Sequence, residues 1–251
     1  MSLVSGQRVE LRIPGAEHTL GVLRHGHFGR PVLVFPSENG RAEDFESNGM
    51  VGAVQDLVDA GRVSFFCVDS LDGWTWSVNE QPTEERAKRH LLYNRWLEEA
   101  VLPYIEQELG GRLPIITMGV SMGAYHAVHF ALTHAHVVSL GIGMSGNYDV
   151  TTWHGWGETG DATYFANPMH YVAGMEGDHL DWIRQHAAVL LVVGEGPFEW
   201  EPTRSLPSTR DFAALLERKG IPHQLDVWGS DSAHDWPWWR KQLAHHLPRF
   251  C

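Results

Sequence analysis

The chain has 251 residues, of which 43% are hydrophobic and 20% charged, and its formal net charge is −12. This length and apolar content predict one large α/β domain over residues 1–251. The negative charge disfavours nucleic acid and anionic membrane as partners. The sequence has no run of 18 apolar residues and no signal-peptide pattern, and it carries two cysteines, Cys67 and Cys251. We therefore expect a cytoplasmic protein with two free thiols.

The first half of the chain alternates between predicted strands and helices. Two short strands, 8–13 and 19–23, follow each other without a helix and should pair antiparallel at an edge of the sheet. The run 31–35 is apolar throughout, as expected of a strand buried on both faces. A helix around 48–60 and a second buried strand at 63–68 follow.

A long helix is predicted over 82–109, with Thr83 as its cap and Glu84 and Glu85 in its first turn, where they complement the helix dipole. The remaining predicted elements are strands at 115–118, 137–144, 188–193 and 223–228, and helices at 210–219 and 234–250. Residues 145–186 are less regular and are interpreted as a short cap-like insertion. The alternation predicts a mostly parallel sheet of about eight strands with helices on both faces.

The most informative motif is Gly119-Val120-Ser121-Met122-Gly123, a G-x-S-x-G pentapeptide between a predicted strand and a helical run over 124–132. That context is typical of a nucleophile elbow, whose turn is so tight that the residues two positions from the serine must be small. A chance match is the alternative, because the chain contains 26 glycines. The flanking strand and helix favour Ser121 as a catalytic nucleophile.

A serine hydroxyl needs a base to accept its proton and an acid to orient that base. Reacting groups of such sheets lie at the carboxyl ends of the strands. His234 lies in a polar loop between the last strand and the last helix, whereas most other histidines lie in helical runs or near the N-terminus. We therefore predict His234 as the base.

The acid should follow the strand 188–193, but Pro197 stands where an aspartate is expected. Glu195 is favoured as the substitute because it lies closest to the strand end, and Glu199 is the alternative acid. Asp149, after the strand 137–144, is a third option. For each carboxylate, an ordinary solvated loop position is the competing interpretation.

The oxyanion needs two backbone N–H donors. We expect one from Met122 and the other from Ser37 or Glu38, in the loop after the strand 31–35. Four aromatic residues are interpreted as substrate-pocket residues, with plain packing as the alternative: Trp74, Trp76, Tyr125 and Trp236. Ser145 lacks the second glycine of an elbow and is not followed by a helical run. No metal-ligand spacing or dinucleotide motif is present, and we expect no metal and no cofactor.

Two segments, 119–126 and His234-Asp235-Trp236-Pro237-Trp238-Trp239, resemble the putative-esterase family of α/β-hydrolases, which groups esterase D-like enzymes with mycolyltransferases. Shorter pieces at 34–37, 66–70 and 145–149 also resemble it. The resemblance implies an α/β-hydrolase fold with a short cap, no cofactor, and a triad in which Ser121 and His234 take their matching places. The chain departs from the family at Pro197.

These features predict a carboxylesterase-type serine hydrolase that acts on a small-molecule ester. An acyltransferase of the same fold, in which an alcohol replaces water, stays open as an alternative. The missing aspartate leaves open a third interpretation, a non-catalytic α/β-hydrolase-fold binding protein.

Overall fold

The architecture is a single mixed sheet with helices on both faces, seen in a computed structural model that describes residues 6–251. The eight strands lie in the order β1-β2-β4-β3-β5-β6-β7-β8. Their bounds are β1 Gln7–Arg12, β2 Thr19–His25, β3 Arg30–Phe35, β4 Val63–Val68, β5 Ile115–Val120, β6 Val138–Met144, β7 Val189–Val193 and β8 His223–Val227. Strand β2 is antiparallel to both β1 and β4, and all other neighbours are parallel. The predicted antiparallel edge and eight-stranded, mostly parallel sheet are confirmed.

The helices differ from the prediction mainly at their ends. Their bounds are α1 Asp44–Ser47, α2 Gln55–Asp59, α3 Thr83–Trp96, α4 Leu102–Leu109, α5 Met122–Thr133, α6 Asp161–Ala166, α7 Pro168–Gly174, α8 Gly177–His186, α9 Ser205–Lys219 and α10 Trp236–His246. The helix predicted over 48–60 is wrong as one element: residues 48–51 form a turn and Gly52–Val54 a 3₁₀ turn, and Val54 leaves the helical region, with φ −135° and ψ 29°, just before α2. The long helix 82–109 contains a π turn at Leu97–Val101, and it begins at Thr83 itself, after Pro82.

The core lies on both faces of the sheet, as the apolar strand runs predicted. Side chains alternate along β3, so Val32 and Val34 pack with α2 and α10, whereas Leu33 and Phe35 pack with α3, α4 and α5. Both β4 and β5 are buried along their whole length. This packing holds the carboxyl ends of β3, β5, β6 and β7 in one rigid row.

Residues 145–186 carry α6, α7 and α8, and α3 anchors them. The Glu84 carboxylate accepts hydrogen bonds from the backbone N–H groups of Gly160, Ala162 and Thr163 at the start of α6. Burial alone would raise the pKa of Glu84, but these bonds and the Thr163 hydroxyl lower it to about 2. None of the helices within residues 6–251 combines the length and the apolar character needed to cross a bilayer.

Candidate active site

The turn between β5 and α5 holds Ser121 in a conformation that L-residues rarely adopt, with φ 55° and ψ −123°. A Cβ atom at Gly119 would lie 2.1 Å from the carbonyl oxygen of Gly123. A Cβ atom at Gly123 would lie 2.2 Å from the carbonyl oxygen of Pro36. Both flanking glycines are therefore required sterically, and the strained serine has the geometry of a nucleophile elbow.

The His234 ring lies beside this serine, with 2.9 Å between His234 Nε2 and Ser121 Oγ. Helix α10 begins at Trp236 with Asp235 as its N-cap, which leaves His234 in the preceding loop. The backbone N–H of His234 donates to the carbonyl of Pro197 at 3.1 Å. The ring meets Trp239 edge-to-face, with centroids 5.0 Å apart. Backbone and ring are both held, which fixes the direction of Nε2.

The carboxylate beside His234 belongs to Glu199 and not to Glu195, the residue favoured from the sequence. Glu199 is fully buried, and its Oε2 lies 3.3 Å from His234 Nδ1. Glu195 instead points to the surface and pairs with Arg210 at 2.6 Å. The reason is a tight turn after β7, in which Phe198 adopts a φ of 65° and carries the chain back toward the sheet. The third option, Asp149, accepts hydrogen bonds from Thr151 and Asn167 and lies in a local turn.

The loop after β3 packs directly against the elbow, as the contact between Gly123 and Pro36 requires. Met122 is the first residue of α5, where backbone N–H groups have no acceptor within the helix. Met122 and Glu38 line the same cavity as Ser121, and the Glu38 carboxylate accepts from the Ser77 hydroxyl at 2.5 Å. Ser37 lies beside Glu38 and accepts from the N–H of Gly40 through its carbonyl.

A short polar bridge connects this loop to α5. Asn39, with a φ of 55°, donates its N–H to Asp72 Oδ2 at 3.2 Å. The other oxygen, Asp72 Oδ1, lies 2.9 Å from Nε2 of His126 on α5. Both Asp72 and His126 are buried, so the bridge is shielded from water.

A cavity of about 470 Å³ opens over Ser121, within the size range of small-molecule sites. Its lining residues are Glu38, Trp76, Asn79, Ser121, Met122, Ser145, Asn147, Thr152, Trp153, His154, Glu201, Pro202, Thr203, Arg204 and Ser205. The buried Arg86 guanidinium donates to the carbonyls of Trp76, Trp153 and His154 and so binds this wall together.

Of the four aromatic residues predicted for the pocket, Trp76 lines the cavity. Tyr125 is buried beneath it, where its hydroxyl donates to the carbonyl of Ala166. Trp74 lies at the surface beside Arg89, and Trp236 packs edge-to-face on Trp239. None of these three side chains is among the residues that line the cavity: Tyr125 and Trp236 pack against neighbouring side chains, and Trp74 faces solvent.

Sequence reasoning missed the wall contributed by 201–205 and by 147–154, and it dismissed Ser145. The wall residues carry no motif, and only the turn that returns Glu199 to the sheet brings 201–205 over the serine. Asn147 follows the carboxyl end of β6, a position from which the rule for parallel sheets could have selected it.

One cluster in the described part of the chain has the spacing to hold a cation, namely Asp226, His245 and His246. The Asp226 carboxylate already accepts from the Trp228 indole, and the Arg249 guanidinium lies 3.1 Å from Nδ1 of His246. A guanidinium against the imidazole opposes a second cation there. None of the three residues lines the cavity over Ser121.

A strained serine at the end of a central parallel strand, beside an imidazole from the last loop, defines the chain as an α/β-hydrolase. The family model described as "Putative esterase" matches residues 35–250. The chain belongs to that family and is an esterase-type hydrolase by membership.

The fold is similar to that of several solved esterases and hydrolases. An S-formylglutathione hydrolase from Staphylococcus aureus matches with a TM-score of 0.73 and 12% identity, over 98% of each chain. One from Agrobacterium tumefaciens matches with a TM-score of 0.72 and 14% identity, over 99% of this chain and 96% of that one. A ferulic acid esterase matches with a TM-score of 0.72 and 16% identity, over 98% and 97% of the two chains. None of the curated proteins matches the sequence.

Proposed function

We propose that the protein is a serine hydrolase that cleaves carboxylic esters of small molecules through an acyl-enzyme on Ser121. The observation that carries this proposal is the 2.9 Å contact between His234 Nε2 and the oxygen of a strained Ser121. At that distance the imidazole can accept the hydroxyl proton as the oxygen attacks a carbonyl carbon. Glu199 faces the other ring nitrogen and stabilises the imidazolium that forms.

The reaction then follows the geometry of the loop and the elbow. The tetrahedral oxyanion accepts from the N–H of Met122 and from an N–H of Ser37 or Glu38, because these backbone groups flank Ser121. His234 returns its proton to the leaving alcohol, and Ser121 retains the acyl group. A water molecule, deprotonated by His234, attacks this ester and releases the acid. Trp76 and Trp153 form the apolar side of the substrate cavity.

Replacing the nucleophile is the direct test. We expect Ser121→Ala to lower kcat for short p-nitrophenyl esters by at least about 10³-fold, because no other group can form the acyl-enzyme. A fluorophosphonate probe should add one equivalent of mass to the wild type and none to Ser121→Ala. Ser64→Ala, which removes a buried hydroxyl far along β4 from the cavity, is the matched control and should label fully.

Near wild-type turnover by Ser121→Ala would refute the mechanism. A folded wild type that neither hydrolyses esters nor takes the probe would support the binding-protein alternative, although Glu199 now supplies the carboxylate whose absence suggested it. The acyltransferase alternative predicts a new ester when an alcohol acceptor is added, detected by mass spectrometry, at the expense of the free acid.

A further inference from the structure

Ser145 directly follows β6 and has a backbone conformation as unusual as that of Ser121, with a φ of 56°, and it is fully buried. Its N–H donates to the carbonyl of Val192 at 2.7 Å, which fixes it between β6 and β7. Its hydroxyl lies 2.7 Å from Oε1 of Glu199 and 3.0 Å from the indole nitrogen of Trp239. A strained, buried residue whose polar group touches the triad carboxylate needs an explanation.

We propose that Ser145 and Trp239 are positioning residues that hold the Glu199 carboxylate in place and direct it at His234. The proposal rests on the proposed function, since it assigns the support of that same triad. Neither residue takes part in bond making; both act through the carboxylate and the imidazole.

The direction of the hydrogen bonds follows from the groups involved. An indole N–H only donates, so Ser145 Oγ accepts from Trp239. The serine hydrogen is then free to point at one neighbour, Oε1 of Glu199. That oxygen also accepts from the N–H of Gly194 at 3.3 Å. Two donors on Oε1 fix the orientation of the carboxylate, which leaves Oε2 to accept from His234 Nδ1.

The same contacts explain how a glutamate serves here. The Glu199 side chain is longer than that of an aspartate and starts two positions beyond Pro197, so its carboxylate needs space beside Gly194. A Cβ atom at Gly194 would lie 2.3 Å from Ser232 Oγ and 3.2 Å from Glu199 Oε1, so a glycine keeps that space open. Trp239 closes the network, because its ring packs on His234 while its N–H orients Ser145.

The test compares two ways of removing the Ser145 hydroxyl. Glycine adopts positive φ without strain, whereas alanine keeps the strain, so Ser145→Gly and Ser145→Ala differ in stability but share the loss of the donor. We expect both to lower kcat for p-nitrophenyl acetate by about 10-fold or more, the range of a hydrogen bond to a charged group. KM should stay within about 2-fold, and the acid limb of the kcat/KM–pH profile should move, because a carboxylate that has lost a donor interacts differently with the imidazole. Trp239→Phe should reduce kcat in the same direction and by less.

The controls separate this proposal from its foundation. Like the Ser145 variants, Ser64→Ala removes a buried hydroxyl, but that hydroxyl donates to a backbone carbonyl and not to Glu199. This control should change neither kcat nor the pH profile. An active wild type with a Ser145→Gly variant of unchanged kcat and pH profile would overturn the positioning role and leave the esterase proposal standing. A raised KM with unchanged kcat would also overturn it, because Ser145 would then act as a cavity wall only. An inactive wild type would instead refute the proposed function.

Discussion

Glu199 shows how far one residue can lie from its expected place and still meet the same partner. Its carboxylate reaches His234 from two positions beyond Pro197, where the sequence analysis expected an aspartate. Glu195, closer along the chain, is held at the surface by Arg210. The two glutamates in one loop therefore provide a matched pair for testing the acid.

We expect Glu199→Gln to lower kcat by about 10³-fold, because an amide cannot stabilise the imidazolium and selects the wrong ring tautomer. Glu195→Gln removes the same charge from the same loop and should change kcat by less than about 2-fold, since it loses only a surface ion pair. Steady-state kinetics on one ester decides between them. Equal losses in the two variants, or a loss only at Glu195, would contradict the assignment.

The choice between these glutamates lay beyond the sequence for a physical reason. Proximity to the strand end favours Glu195, but the positive φ of Phe198 reverses the chain and turns Glu199 inward. A non-glycine residue at positive φ leaves no trace in composition or periodicity. The proximity of Ser121 and His234 was predictable, because a glycine-flanked turn and a polar loop after the last strand each restrict where a side chain can go.

At the scale of elements, the Asp72 bridge connects the loop after β3 to α5, the helix that directly follows Ser121. The Asp72 carboxylate contacts Asn39 through one oxygen and His126 through the other, so a single buried side chain connects the loop to the helix. The proposed oxyanion donors lie on these two elements, Met122 at the start of α5 and Ser37 or Glu38 in the loop.

We expect Asp72→Asn to lower kcat by about 10-fold, because a neutral amide holds Asn39 and His126 less firmly and the loop donor shifts from its place. The rate of fluorophosphonate labelling should fall in parallel. Asp226→Asn, which weakens a similar carboxylate–histidine contact on β8, should lower the melting temperature and leave kcat unchanged. Unchanged kcat in Asp72→Asn would show that the bridge does not support the donors.

Element boundaries were predicted better for strands than for helices. The apolar run of a buried strand ends where the strand ends, so the predicted and observed bounds of β4 coincide at 63–68. Helix 48–60 failed because Met50, Val51 and Val54 keep an apolar period through a turn and a 3₁₀ segment, and Val54 leaves the helical region just before α2. Periodicity reports which residues are inside, whereas continuity depends on backbone conformation that a single sequence does not display.

At the scale of the whole molecule, a group of buried histidines beneath the site makes the fold sensitive to acid. His90 and His129 are fully enclosed by aromatic side chains, and neither nitrogen of His90 has a hydrogen-bond partner among the described residues. Burial lowers the pKa of His90 well below its usual value and that of His129 to about 3, with further lowering from neighbouring histidines. Both rings are therefore neutral in the folded protein near pH 7.

Because these pKa values are lower when folded than when unfolded, the unfolded chain binds protons first, and stability falls as the pH drops below about 6.5. We expect the melting temperature to fall between pH 7 and pH 5, a window above the titration of the carboxylates. His90→Phe keeps a ring in the cluster and removes one buried protonation site. It should therefore reduce the pH dependence of the free energy of unfolding by at most about 1.4 kcal/mol per pH unit. Calorimetry with the exposed His18→Phe as control measures this. A slope unchanged by His90→Phe would contradict the assignment.

Glu199, the proposed acid, and one wall of the cavity over Ser121 belong to a single stretch of chain, with Glu199 on one side of a short turn and 201–205 on the other. We expect any substitution that reshapes this wall for a different acyl or alcohol group also to displace Glu199, the residue proposed to orient His234. A substitution in this wall should therefore change the substrate range and the turnover rate together. We expect substitutions in the opposite wall to change the substrate range with less effect on turnover. There the carbonyls of Trp153 and His154 accept from Arg86, and neither residue is adjacent in the chain to the proposed triad.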